Sequence, residues 1–334
     1  MIDGSSLSLY DSEENREKYP YHRNQKADVG YPLARVSIMT SLETGSLVDF
    51  AMGPFAGKGN GELGLSKNFV KYLDSNDVVI ADAMFHSYFF ISLVMKKKAN
   101  MVTICKGTRK FNVIESKKIG PADRLITIQK PRVPHTGWLE SKDFERTPKT
   151  IKLRESIITV KRKGFRDMKV KLISTLTDFK KYKKKDIANL YLKRWNIELD
   201  FRILKRDLGL EYLKCKSPNM VEKEIWAHFI VYNLVRRTML TSSKKAGIQP
   251  REISFKLALQ IYSSMRSPIN PLDNHSQRTY ENLLNDCLAS KPIPKRPGRH
   301  EPRARKKRLN DNDYPYLKTS RKDWKKDNLH LFAS

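Results

Sequence analysis

Apolar positions recur along this chain in two rhythms, one suited to strands and one to helices. Within residues 31–53, YPLARVSIMTSLETGSLVDFAMG, two β-prone runs flank Glu43-Thr44-Gly45-Ser46, the pattern of a hairpin closed by a glycine-containing loop. Residues 54–64 are rich in glycine and read as loop, and Gly61-Glu62-Leu63 opens a segment with helical character that runs to about Leu73. Asp77-Val78-Val79-Ile80-Ala81-Asp82 is a short continuous apolar run ending in a carboxylate, which suits a strand covered on both faces. Phe85 to Lys98 returns to helical spacing.

The character changes over residues 100–176. Short β-prone pieces, Met101–Cys105, Arg124–Ile128 and Ile157–Lys161, alternate with Pro, Gly and Lys and predict a β-rich insertion. Thr175–Lys185 is polar and basic. Asp186 to Asp207 carries the strongest helical pattern of the chain, with Asp186 placed as N-cap and Gly209 as terminator. Glu222–Leu240 predicts a second long apolar helix. From Lys291 onward Pro, Lys and Arg dominate, and an extended basic tail is expected. No repeat of fixed period is present.

Composition narrows the class. The 334 residues include 65 Lys+Arg against 36 Asp+Glu, a formal charge of +29, with dense clusters at Lys180–Lys185 and Arg296–Arg308. Such an excess points to a polyanionic partner, because Lys and Arg release counterions from phosphate backbones. Hydrophobic residues make up 39%, enough for a core in a chain of this length. The three cysteines, Cys105, Cys215 and Cys287, are far apart and odd in number, which argues against a disulfide scaffold or a cysteine-based zinc site. No apolar run approaches the ~18 residues of a membrane span. The N-terminal residues lack a basic-then-apolar pattern, so no signal peptide is read there. The expectation is a cytoplasmic, nucleoid-associated protein without a membrane partner.

Candidate chemistry lies on the helix at 186–208. At about 100° per residue, Ile187, Leu190, Ile197, Phe201, Leu204 and Leu208 form one apolar stripe, and Tyr191, Arg194, Glu198 and Lys205 cluster within about 60° along its edge. An ordinary surface offers one explanation: Arg194 and Glu198 make an i,i+4 pair worth only a few tenths of a kcal/mol. The carboxylates elsewhere offer another. Asp82 closes a strand expected to be buried, and side chains at such carboxyl ends face ligand crevices. Asp3 precedes Gly4-Ser5-Ser6 in a strand-to-turn context. Either Asp alone is an ordinary turn or cap residue. Together with Glu198 they form an oxygen-donor set suited to Mg²⁺. Two such ions about 4 Å apart can activate a water or hydroxyl and stabilise the leaving oxygen of a phosphodiester. Arg194 and Lys205 would grip the phosphates nearby.

These residues resemble the DDE transposases of the insertion-sequence-4 family. The carrying motif is Y-x2-R-x3-E-x6-K, present as Tyr191, Arg194, Glu198 and Lys205 within LYLKRWNIELDFRILK. Asp82 in VVIADAMFHSYFFI resembles the family's second aspartate, and Asp3 in IDGSSLSLYDSEEN its first. YPLARVSIMTSLETGSLVDFAMGP, GNGEL and RPGRHEPRARKKR are similar to its linking segments and basic C-terminal stretch. The resemblance implies an α/β fold, a ribonuclease-H-like mixed sheet flanked by helices with a β-rich insertion before the Glu helix. It makes 1–99 and 177–290 the two parts of the catalytic core, 100–176 the insertion and 291–334 a basic tail. It further implies that Asp3, Asp82 and Glu198 hold two Mg²⁺ ions, with Mn²⁺ as a substitute, and that Tyr191, Arg194 and Lys205 contact phosphates of the cleaved end. The implied chemistry is strand nicking, attack of the 3′-hydroxyl on the opposite strand to form a hairpin, reopening, and joining to target DNA. The implied partners are double-stranded DNA, as transposon ends and target, and a second copy of the chain bound to it. Trp138 has two readings, an aromatic that stacks on a flipped base and a core residue.

Family members carry an N-terminal domain for the terminal repeats ahead of a full first strand, whereas this sequence starts two residues before Asp3. A truncated reading frame is therefore expected, and a catalytically impaired DNA-binding remnant stands as the alternative to a working transposase. The helix motif disfavours a nuclease or resolvase that cuts without joining.

Overall fold

Continuous apolar runs along the central strands give the sheet two apolar faces. The computed structural model describes residues 1–22, 30–105, 111–132, 137–160, 168–264, 274–290, 292–293 and 326–327. The strands are Ile2–Ser8 (β1), Leu33–Thr40 (β2), Leu47–Pro54 (β3), Val78–Ile80 (β4), Asn100–Ile104 (β5), Asn112–Gly120 (β6), Asp123–Gln129 (β7), Thr150–Val160 (β8) and Met168–Ser174 (β9). The α-helices are Glu13–Lys18 (α1), Glu62–Ser66 (α2), Tyr88–Lys96 (α3), Ser141–Arg146 (α4), Lys184–Leu192 (α5), Trp195–Arg202 (α6), Pro218–Ala246 (α7), Phe255–Ser264 (α8) and Asn274–Ala289 (α9). Residues 1–294 form one compact unit and residues 295–334 a second.

β1, β2 and β3 make an antiparallel sheet in that order, and a six-stranded mixed sheet runs β4-β5-β9-β8-β7-β6. β4 and β5 are parallel, and the remaining neighbours are antiparallel. A parallel bridge between Ile2 and Ala81 joins β1 to the end of β4. The 77–82 run is thus a strand covered on both sides: Ile80 belongs to one core cluster with Val36, Val102, Leu172, Ile197 and Phe229, while Val79 and Ala81 belong to another with Ile2, Met101, Phe85 and Phe90. At roughly 1.5–3 kcal/mol for each large apolar side chain removed from water, these two layers hold the sheet. The expected hairpin is present around Gly45, whose φ of 76° needs a residue without Cβ.

The insertion strands are pinned from inside. Arg154 on β8 makes a bidentate pair with Asp123 on β7 at 3.0 and 2.6 Å, and its third nitrogen donates to the carbonyl of Tyr182 at 2.6 Å. Within residues 100–176, β5 pairs with β4 and with β9, so the added strands continue the central sheet.

The 186–208 helix is interrupted. α5 begins after Lys183, with Asp186 in its first turn rather than at the cap. A turn at Lys193–Arg194 separates α5 from α6, and Ile203–Asp207 winds as a π-helix before Gly209, at φ 80°, ends it. Uniform 100° spacing therefore fails at both joints, since an i→i+5 turn holds more residues than an α-turn. α7 is longer than the 222–240 reading because Pro218 starts it, after Ser217, and Gly247 at φ 67° closes it. Val221, Ile225, Phe229, Tyr232, Val235 and Met239 form its buried stripe. Lys161 and the cluster Arg296–Arg308 lie outside the described residues.

Candidate active site

Strand register brings the two aspartates together. Ile2 lies opposite Ala81 in the parallel bridge, so the next residues, Asp3 and Asp82, leave adjacent strands side by side. The carboxylate of Asp82 accepts the Met84 amide at 2.8 Å and caps the 3₁₀ turn Ala83–Phe85, and its carbonyl accepts the Thr103 hydroxyl at 2.6 Å. Asp3 accepts the Gly4 amide at 2.9 Å. Burial lifts the Asp3 carboxyl from an ordinary 3.8 to about 7; Asp82 and Glu62 push the same way, and the Gly4 amide and Arg194 oppose them.

The α5–α6 junction supplies the third acid and a cation. Arg194 lies 3.7 Å from Asp3 through Nη1 and 2.5 Å from Glu198 through Nη2, so one guanidinium links the strand acid to the helix acid. Tyr191, one turn earlier, is buried, and burial pushes its hydroxyl up to about 12. Asp3, Asp82 and Arg194 all act on its charge. Lys205 stands in the π-turn, where burial lowers its ammonium and Glu211 is its opposing charge. Trp138 does not offer its ring to solvent. It packs against Phe90 at 6.5 Å between centroids and belongs to the second core cluster, the place a core residue would take.

Two residues of the site gave no signal in the sequence. Glu62, at the start of α2, reaches across Gly4: a Cβ on Gly4 would lie 2.6 Å from its Cδ and 2.9 Å from its Oε1. Its charge acts on Asp3 and is acted on by Asp82. Asp200, two residues beyond Glu198, is fully buried and pairs with Arg236 at 2.8 Å and Arg251 at 2.9 Å. Arg251 also donates to the carbonyls of Ser41 and Leu42, so this network fixes α6 to α7 and to the β2–β3 turn. GNGEL stood out as a segment, but nothing in its spacing pairs residue 62 with residue 4.

Carboxylate oxygens in this number suit a hard divalent cation. The Arg194 guanidinium, seated between Asp3 and Glu198, is a cation already standing in the cluster. Among the described residues, no three His, Cys, Asp or Glu side chains are grouped closely enough to hold one ion together. Asp3 and Asp82 offer oxygen donors of the kind Mg²⁺ takes, and Glu198 is turned to Arg194.

Aspartates at neighbouring strand ends and a glutamate on a later helix are the acids of the candidate site, and comparison supplies the class of protein. A family profile described as "Transposase DDE domain" matches residues 1–234. The chain belongs to the DDE transposases. It is 25% identical over 307 residues to the transposase InsG for insertion sequence element IS4 of Escherichia coli (strain K12), covering 90% of this chain and 65% of InsG. It is 30% identical over 166 residues to the putative transposase y4zB of Sinorhizobium fredii, covering 49% of this chain and 43% of that protein. The chain thus spans less than two thirds of either relative. Among solved structures it is similar to a piggyBac transposase synaptic complex with hairpin DNA, at a TM-score of 0.41 and 12% identity, covering 86% of this chain and 56% of that one. No helix among the described residues is long and apolar enough to cross a membrane.

Proposed function

We propose that this chain is the catalytic part of a transposase that cleaves insertion-sequence ends and joins them to target DNA at a site built from Asp3, Asp82 and Glu198. The observation that carries the reading is the side-by-side exit of Asp3 and Asp82 from parallel neighbours, with Arg194 linking Asp3 to Glu198. Three antiparallel strands, a bridge to the parallel pair β4–β5 and a later acid-bearing helix support a ribonuclease-H-like core, and β5 (Asn100–Ile104) belongs to that core although it falls within the 100–176 stretch read as the insertion.

In this reading Asp3, Asp82 and Glu198 would hold the divalent ions, two Mg²⁺ or Mn²⁺ in their place. Bound divalent metal supplies activation of the attacking water or 3′-hydroxyl and charge relief at the leaving oxygen. The chain's own part is positioning. Arg194 offers a guanidinium to the phosphate, and contact with a phosphate would draw it from Glu198 and free that carboxylate for the cluster. Tyr191, kept neutral by burial, can donate its hydroxyl to a phosphate oxygen. Lys205 adds charge from the π-turn that follows α6. The partners are double-stranded DNA and, since two ends must meet, a second copy of the chain.

Mg²⁺-dependent joining of a pre-nicked element end to target DNA tests this. Joining by the wild type and none by Glu198→Gln, with DNA binding retained, is the expected result. DNA binding without joining by the wild-type chain would favour the impaired remnant, and unchanged joining by Glu198→Gln would remove the site.

A further inference from the structure

Gly4 keeps β1 open at one point, next to the first aspartate, and α2 is built to use that opening. We propose that Glu62 is a further acidic residue of the active site, a positioning residue that crosses β1 at Gly4 to steady the Asp3–Asp82 pair and add its charge to the cation site. The proposal rests on the reading of Asp3 and Asp82 as metal ligands.

Three observations aim Glu62. First, its side chain fills the space a Cβ on Gly4 would take, with Cδ 2.6 Å and Oε1 2.9 Å from that position. Any other residue at position 4 would push the carboxylate away from the strand. Second, α2 is fastened to the strand that bears Asp3. The buried hydroxyls of Ser66 and Ser37 share a hydrogen bond of 2.6 Å, and Ser37 donates to the Asp3 carbonyl at 3.2 Å. Third, Gly64 lets α2 approach the Gly59 carbonyl, and a Cβ there would lie 3.0 Å from the Cβ of Trp138. The buried Trp138 is thus part of the wall behind α2. The helix also contacts β1 and the turn at Ala83–Phe85 that follows Asp82.

A plain helix-start role explains this arrangement poorly. A glutamate in the first turn gains from the helix dipole without having to point at other carboxylates. Here it points beside two other carboxylates, where like charges repel unless a cation offsets them. Arg35 supplies part of the offset. A divalent ion at Asp3 and Asp82 would supply more, and carboxylates just outside the ligand set tune both orientation and affinity.

The test is Mn²⁺ binding to the full chain by electron paramagnetic resonance, with a thermal melt of each variant as the folding control. Glu62→Gln should bind Mn²⁺ about ten- to a hundredfold more weakly while melting no earlier than wild type. Gly4→Ala, which changes no charge and only displaces Glu62, should weaken binding in the same direction, and Glu62→Asp should recover part of the loss. If Glu62→Gln binds Mn²⁺ like the wild type while Asp3→Asn does not bind, the role of Glu62 is overturned and the metal-site reading stands. If Asp3→Asn and Asp82→Asn also bind like the wild type, both fall. Should Gly4→Ala melt early, Glu62→Gln decides alone.

Discussion

Arg194 holds Glu198 at 2.5 Å, one helical turn away across the break between α5 and α6. The same guanidinium faces Asp3 at 3.7 Å, so the pair is more than a surface i,i+4 contact. Both side chains are partly screened from water, Arg194 to 18% exposure and Glu198 to 34%. The pair keeps a carboxylate near the aspartates without adding an uncompensated negative charge to them.

That pairing predicts different failures for its two members. Glu198→Gln keeps shape and loses charge, so end cleavage and joining should fall by at least about a hundredfold while DNA affinity stays within a few-fold. Arg194→Gln removes a phosphate donor as well as the partner of Glu198, so DNA affinity should fall along with turnover. Gel-shift titration beside a strand-transfer assay separates the two outcomes. Equal loss of DNA affinity in both variants would contradict separate roles.

The buried triad behind α6 sets a second expectation. Asp200 is fully buried against Arg236 and Arg251, and removing it leaves two guanidinium groups with a missing counterion. Breaking such an arrangement costs about 3–5 kcal/mol. Asp200→Ala should lower unfolding stability by that amount in urea, and a loss under about 1 kcal/mol would show that the two arginines find other partners. Because Asp200 shares α6 with Glu198, activity should fall in this variant even at temperatures where it remains folded.

Asp3 makes the metal-free protein sensitive to pH. Its folded carboxyl titrates at about 7 against 3.8 for an ordinary aspartate, chiefly because it is buried. The folded form therefore holds the proton over that interval while the unfolded chain has released it. Its contribution to stability is full below pH 3.8 and is lost as pH rises through about 7. Asp3→Asn cannot ionise, so the variant should gain on the wild type as pH goes from 5 to 8, by up to a few kcal/mol. Comparing thermal melts of the two proteins in chelator isolates this group, because the other titrations cancel. A difference that does not change with pH would mean that the Asp3 carboxyl is not lifted.

Local patterns carried much of this site and missed what depends on the return of the chain. The strand ending in Asp82 was legible because two-sided burial writes an uninterrupted apolar run, and the hairpin at Gly45 because its turn requires glycine. Tyr191, Arg194 and Glu198 shared an edge on a uniform helix and remain near one another, since the break at Lys193–Arg194 is only a turn. Glu62 was not legible: its place is set by Gly4, fifty-eight positions away, and no helical or strand period links them. Asp200 was hidden for a similar reason, as its partners lie on α7 and beyond. Trp138 shows the reverse case, a conspicuous aromatic in a basic, loop-rich stretch that serves the core.

Lys205 lies in the π-turn, off the line of a uniform helix, and DNA binding decides its role. The π-turn at Ile203–Asp207 shifts its direction from the one a regular helix would give, and its opposing charge is Glu211. It is half-buried, and an ammonium kept from water in this way is costly unless an anion meets it. If that anion is the phosphate of the cleaved end, Lys205→Ala should weaken binding to a pre-cleaved end more than to generic duplex. The slope of log affinity against log salt should also fall by about 0.9 for the cleaved end alone. Equal losses on both substrates would reduce Lys205 to a general surface cation and leave Arg194 and Tyr191 as the phosphate contacts of this helix.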